Sequence, residues 1–149
     1  MAISSAVVLG LLFGVIQVCF AFYVHNMIDE SAREASRYAI VRGSNCSTNT
    51  PSQTNCGATS AEITSYVKSL GLPGVNAGTP PMTVTTTWLT ATSSGTPATT
   101  TWTACTTGTC NAPGNQVSVN IQYAFPLGIP FWKVTTVTMS STSRMVISQ

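Results

Sequence analysis

The sequence predicts an α+β fold: a long N-terminal hydrophobic helix packs, by its C-terminal half, on a four-stranded antiparallel sheet, with a short second helix. Three observations predict it. Residues 1–43 contain no proline and change from apolar to amphipathic. Residues 59–71 carry the start and stop signals of a helix. From residue 82 onward, apolar residues alternate with threonine and serine, as is typical of strands.

The N-terminal helix begins with an apolar segment. Residues 2–24 form an apolar run, and residues 1–28 contain no Asp, Glu, Lys or Arg. At about 1.5 Å per residue, this run can cross the roughly 30 Å hydrocarbon core of a bilayer. A secretory signal peptide fits poorly, because the run is long, lacks a basic start and continues into a charged helix. The missing basic flank leads us to expect that a leader has been removed before Met1.

The same helix continues as an amphipathic segment. Its charged side has Asp29 and Arg33 at i,i+4 and Glu34 and Arg37 at i,i+3, spacings that favour ion pairs. Gly43 is predicted to end the helix. The opposite side is a narrow stripe of small apolar residues, predicted to pack on the sheet. The stripe consists of Ile28, Ala32, Ala35 and Ala39.

These patterns divide the chain into two parts. Residues 1–43 form the helix, of which 1–27 would lie in a membrane and 28–43 would pack on the sheet. Residues 44–149 form a globular α+β domain. At this size, the domain can bury only a modest core.

Short motifs place the remaining elements. Thr59 and Glu62 have the spacing of a capping box that opens a short helix, and Gly71 closes it. The apolar residues of this helix are Ile63, Tyr66, Val67 and Leu70. Strands are predicted at 82–89, around 102–104, at 117–125 and from 137 to 147. Trp88 and Trp102 are both expected on the apolar side of their strands.

The cysteines indicate an oxidising compartment. Cys19 lies inside the apolar run and is interpreted as a small hydrophobic residue. The other four, an even number in turn-rich sequence, are predicted to form two disulfides. Three pairings are possible, and pairing Cys46 with Cys56 and Cys105 with Cys110 costs least in loop closure. A zinc site is the less favoured alternative, because the chain has no CxxC pair and one histidine.

Serine and threonine are abundant in the strands and turns. The simpler interpretation is that β-branched threonine suits the solvated face of a sheet. The alternative is O-glycosylation in TATSSGTPATTT, for example at Thr99 and Thr100. Asn45 begins an N-glycosylation sequon, Asn-Cys-Ser, which is a weak signal by itself.

Composition argues against several function classes. Charged residues make up 7% of the chain and the net charge is +2, so no basic cluster exists to bind nucleic acid. The chain has four carboxylates and one histidine, His25, without a phosphate-binding loop or metal-ligand spacing. No CxxCH motif for covalent haem is present. We expect neither an enzyme nor a cofactor-binding protein.

The apolar segment also carries a candidate assembly face. Gly10 and Gly14 form a GxxxG pattern, with Gln17 on the same side of the helix. Such a face lets neighbouring helix backbones approach closely, and an amide can hydrogen-bond between helices. Two glycines in a lipid-facing helix are also ordinary, so the alternative stays open.

The block FGVIQVCFAFYVHNMIDESAREASRYAIVRG, residues 13–43, resembles the N-terminal signature of TadE-like pilins of tight-adherence pilus systems. In that family an apolar helix continues into Ala-Arg-Glu and Arg-Tyr-Ala sequences, matched here by residues 32–34 and 37–39. The sequences VSVNIQYAFPL and VTTVTMSSTSRMVIS resemble the family's closing strands. One departure concerns charge: Ser4, Ser5 and Gln17 stand where relatives usually carry acidic residues.

The resemblance implies a prepilin that is inserted in the inner membrane and freed of its leader by a prepilin peptidase. With the assembly machinery, it would then polymerise with copies of itself into an extracellular filament on the cell surface. Residues 1–27 would form the filament core, and residues 44–149 would be the extracellular globular domain. The alternative is a minor TadE-like pilin, or a membrane-anchored adhesion or binding module of the pilus machinery. On either hypothesis the chain does not bind nucleic acid.

Overall fold

The computed structural model describes residues 2–45, 57–71, 82–94, 99–128 and 135–148. It confirms the α+β fold, with sheet order β2-β1-β3-β4 and antiparallel pairing throughout. Helix α1 ends three residues before Gly43, the predicted end. The elements are α1 (Ala2–Ile40), α2 (Ser60–Ser69), β1 (Thr83–Ser94), β2 (Thr99–Ala104), β3 (Gln116–Leu127) and β4 (Thr135–Val146).

Helix α1 contacts the sheet only along its C-terminal half. The helix has 39 residues and is therefore roughly 60 Å long. Its first fully buried position is Val24, one turn before Ile28. Because the residues on the buried side after Ile28 are alanines and serines, the helix backbone can approach the strands closely. The buried positions are Val24, Ile28, Ser31, Ala32, Ala35, Ser36 and Ala39.

The sheet supplies the other half of the core. Strand β3 lies between β1 and β4, and one side of it is buried beneath α1. Burying one such aliphatic or aromatic side chain stabilises the fold by about 1.5–3 kcal/mol. The buried side of β3 is formed by Val117, Val119, Ile121, Tyr123 and Phe125.

Serine hydroxyls join α1 to β4. Ser36 Oγ donates to the carbonyl oxygen of Arg33 at 2.8 Å, and Ser36 Oγ lies 2.7 Å from Ser143 Oγ. Either hydroxyl can donate in this second contact. Ser31 Oγ donates to the carbonyl oxygen of Met27 at 2.7 Å. These bonds satisfy polar groups that burial would otherwise penalise.

Helix α2 begins at the predicted capping box. The Thr59 hydroxyl accepts a hydrogen bond from the Glu62 amide at 3.3 Å, and the Thr59 amide donates to the Glu62 carboxylate at 2.8 Å. The Thr59 hydroxyl also donates to the Glu62 carboxylate, at 3.0 Å. The hydrogen bond from the Thr59 amide, followed by this one, lowers the pKa of Glu62. Ile63 and Val67 are buried, whereas Leu70, expected on the same side, is 38% exposed because it follows the last helical residue.

Tyrosine and arginine side chains hold α2 against α1. The rings of Tyr38 and Tyr66 stack with centroids 4.2 Å apart. The Arg42 guanidinium lies 3.8 Å from the centroid of the Tyr38 ring. The Tyr66 hydroxyl donates to the Glu34 carboxylate at 3.4 Å. Burial, followed by the negative charge of Glu34 and this hydrogen bond, raises the pKa of Tyr66 above its ordinary value of 10.0.

Alkaline pH is therefore expected to loosen α2 from α1. Because the pKa of Tyr66 is higher in the folded chain, its contribution to stability is complete below pH 10.0 and is lost as the pH rises through the folded-state pKa. A spectrophotometric tyrosinate titration should show one tyrosine ionising late, and that late phase should be absent in Tyr66→Phe. An unchanged titration curve in Tyr66→Phe would contradict the assignment.

The two tryptophans lie on opposite faces of the sheet. Trp88 pairs with Val117 on the helix-facing side and packs against the core. Trp102 pairs with Ala91, three positions along β1, and therefore lies on the other face, where it is 37% exposed. The prediction that Trp102 lies on the apolar side is wrong, because the hairpin register inverts the face that we assigned to it.

On the charged side of α1, one of the two predicted ion pairs forms and the other does not. Arg37 and Glu34 lie 3.7 Å apart, as their spacing predicts. Asp29, however, lies 3.6 Å from His25, and Arg33 lies 3.8 Å from Glu30, so the predicted Asp29–Arg33 pair does not form. Asp29 and Glu30 thus each contact a side chain three or four positions away along the helix. Such exposed pairs contribute at most about 1 kcal/mol each.

One of the two predicted disulfides falls within the described residues. Cys105 and Cys110 are bonded, with Cα atoms 5.6 Å apart, and close a short loop after β2. Cys46 and Cys56 lie outside the described residues. Cys19 is unpaired and exposed on α1. The observed bond agrees with an oxidising compartment.

Candidate assembly surface

The N-terminal half of α1 extends beyond the sheet. We call residues 7–23 the exposed apolar segment. Its large side chains are between 44% and 69% exposed. These side chains are Val7, Val8, Leu9, Leu11, Leu12, Phe13, Val15, Ile16, Val18, Phe20, Phe22 and Tyr23.

This surface is too apolar to remain in water. Soluble monomers rarely expose a continuous apolar patch larger than about 300–600 Å². The helix is long and apolar enough to cross a membrane, by length and composition. A bilayer or other apolar protein surfaces must therefore cover the exposed apolar segment.

The candidate assembly face lies within this segment. Gly10 and Gly14 are one turn apart, and Gln17 follows on the next turn of the same side. A Cβ atom added at either glycine would meet nothing within 4 Å. Each glycine weakens a helix by about 1 kcal/mol relative to alanine. Packing within the chain therefore does not explain these two glycines.

An apolar groove opens where α1 leaves the sheet. It has a volume of about 540 Å³. Among the described residues that line it, none is Asp, Glu, Lys or Arg. The groove is lined on α1 by Val18, Ala21, Phe22 and His25 and on the sheet by Leu127, Val137, Thr138, Met139 and Ser140.

Val137 shows how the groove arises. Its strand partner Phe125 is 6% exposed, but Val137 itself is 45% exposed. The alternating pattern correctly places Val137 on the helix-facing side of β4. It remains uncovered because β4 is an edge strand and α1 runs past its beginning without filling the space. Sequence reasoning missed the groove, since no local pattern shows where a helix departs from a sheet.

The other predicted site residues lie away from this groove. Ile28, Ala32, Ala35 and Ala39 are all buried in the helix–sheet contact. Thr99 and Thr100 are exposed on the edge strand β2, and Asn45 is exposed after α1. Val24, one turn before Ile28, could have been found by extending the stripe, whereas Ser31 and Ser36 gave no apolar signal.

The described residues offer no cluster of metal-ligating side chains. Within that part of the chain, no three His, Cys, Asp or Glu side chains lie close enough to hold a metal ion. The one histidine, His25, lies 3.6 Å from Asp29 at the edge of the apolar groove. The described geometry of the groove thus offers apolar contact rather than a ligand set.

Comparison with known proteins bears on the same helix. Residues 1–37 match the TadE-like protein family. The match spans the exposed apolar segment and the first part of the helix–sheet stripe, up to residue 37. The matched residues belong to the helix that is long and apolar enough to cross a membrane, by length and composition. No curated protein and no solved structure matches the chain.

Proposed function

We propose that this chain is a structural subunit of an extracellular pilus-like filament and that it polymerises through its N-terminal hydrophobic helix. The observation that carries the proposal is the exposed apolar segment, which the described part of the chain leaves uncovered. The TadE-like match over residues 1–37 supports it independently. The proposal includes no catalytic role and no cofactor.

The helix would have two surroundings in succession. In the precursor, the exposed apolar segment lies in the inner membrane, where a prepilin peptidase and the assembly machinery act on the chain. In the filament, the same surface is buried against copies of itself. Since both surroundings are apolar, the exchange does not require the segment to enter water.

The continuity of α1 suits this role. The helix passes from residue 2 to residue 40 without interruption, so the exposed apolar segment and the sheet are joined by one rigid rod rather than a flexible linker. Contacts between the N-terminal halves of neighbouring helices would therefore fix where each globular domain lies. Such a coupling gives a filament a defined outer surface.

A second function is favoured by Trp102. Its indole is 37% exposed on the face of the sheet opposite α1. Exposed aromatic side chains are enriched in binding interfaces. A minor TadE-like pilin, or a membrane-anchored adhesion module of the pilus machinery, could use this face without forming a bulk filament.

Shearing the producing cells separates the two functions. We expect the sheared fraction to contain filaments visible by electron microscopy, with this chain as the main component by mass spectrometry. Deletion of the gene should remove these filaments, and expression from a plasmid should restore them. Retention of the chain in the membrane fraction at low copy number, with no filaments that contain it, would overturn the proposal in favour of the second function.

A further inference from the structure

The apolar groove and the exposed apolar segment are adjoining surfaces that the described part of the chain leaves uncovered. Val137 is 45% exposed in the groove, and Val7 is 64% exposed on the segment. Neither surface has an Asp, Glu, Lys or Arg side chain among its described residues. We propose that the groove of one copy receives the exposed apolar segment of a second copy, an inference that rests on the proposed filament function.

The lining of the groove favours a helix of this chain as its occupant. Val18 and Phe22 belong both to the groove and to the exposed apolar segment of the same copy. A second helix laid in the groove would therefore also begin to cover the segment beside it. A charged or strongly polar partner would lose hydration at an apolar wall that offers little in return.

The candidate assembly face, called the glycine face from here on, is the side of the incoming helix that fits the groove. At Gly10 and Gly14 no side chain separates the helix backbone from a neighbour, and a Cβ there would meet no described atom within 4 Å. That side can enter a groove between a helix and a sheet edge more deeply than a side covered with leucines. Val7 lies on this side, one turn before Gly10, whereas Val8 points away from it.

The contact would propagate without closing on itself. The groove and the glycine face are different patches, so each copy offers one of each to two different neighbours. An interface between unlike patches produces an open chain when its rotation does not close a ring. The same pair of surfaces that covers one copy thus prepares the next position of a filament.

Cysteine cross-linking in the full-length chain tests the contact. Cys19→Ala would be introduced throughout, and chains carrying Val7→Cys would be co-expressed with chains carrying Val137→Cys. A short bismaleimide would then be applied to the sheared material. We expect a cross-linked dimer that contains both variants. Val8→Cys replaces Val7→Cys in the matched control, because Val8 is similarly exposed, at 66%, but lies on the other side of the helix.

The outcomes separate the groove contact from filament formation. Stronger cross-linking through Val7→Cys than through Val8→Cys supports the inference. Equal cross-linking in material that still contains filaments overturns the inference and leaves the proposed function standing. Absence of filaments from the Cys19→Ala parent and from the unmodified chain overturns both. As a second measurement, Val137→Asp should lower filament yield roughly tenfold or more, and Val137→Thr much less.

Discussion

Filament assembly is expected to fail when Gly10 and Gly14 are both replaced by leucine. A Cβ atom at either glycine would meet no described residue within 4 Å, so we expect the new side chains to fit in the single subunit. Compared with glycine, leucine stabilises a helix by nearly 1 kcal/mol per residue, and it is at least as compatible with a bilayer. Membrane insertion and the globular domain should therefore be unaffected, whereas close approach of a second helix is blocked.

The measurement is the amount of filament released by shearing, compared with the amount of chain in the membrane. Gly10→Ala with Gly14→Ala should reduce the yield less than the leucine pair, because a methyl group separates two backbones by less. Leu12→Ala, on the opposite side of the same helix, is the matched control and should assemble. Normal filaments from the leucine pair would show that close approach at this face does not hold the polymer together.

Much of the fold could be predicted because two strong periodicities meet in it. The stripe that contains Ile28 and Ala35 repeats with helical spacing, and the alternation from Val117 to Phe125 has the period of a strand with one buried side. Each pattern requires a partner of opposite shape. A narrow stripe of small residues can lie close against a flat apolar sheet face. The packing of α1 on the sheet could therefore be predicted from the sequence.

Features that depend on register or on tertiary distance could not be predicted in the same way. The face of Trp102 is set by its pairing with Ala91, and hence by the hairpin connection rather than by local alternation. Whether Asp29 contacts His25 or Arg33, each one helical turn away, depends on how far the side chains reach. Propensities and spacing leave such choices open.

The candidate assembly surface likewise has one part that could be predicted from the sequence and one part that could not. Gly10, Gly14 and Gln17 could be named from spacing, because they lie on one continuous helix. The groove could not, because its two walls come from α1 and from the edge of the sheet near Val137, which are far apart in the chain. Only the structure brings these walls together and shows Val137 uncovered.

The helix–sheet contact itself is expected to be the most sensitive part of the fold. Ala35 is fully buried in the core, and Ser36 beside it contacts Ser143 on β4. Ala35→Leu would insert three carbon atoms where none fit, at a cost of about 1–3 kcal/mol. If the helix moves outward to make room, the Ser36–Ser143 hydrogen bond is lost as well, at about 0.5–1.5 kcal/mol.

Denaturant unfolding of the detergent-solubilised chain, followed by circular dichroism, should show this loss as a lower midpoint with a similar slope. Arg33→Leu is the matched control. It places a leucine on the exposed side of the same turn and removes only the 3.8 Å ion pair with Glu30. Its free energy of unfolding should stay within about 0.5 kcal/mol of that of the parent chain. Equal stability of Ala35→Leu and Arg33→Leu would mean that α1 is held less closely to the strands than its buried alanines indicate.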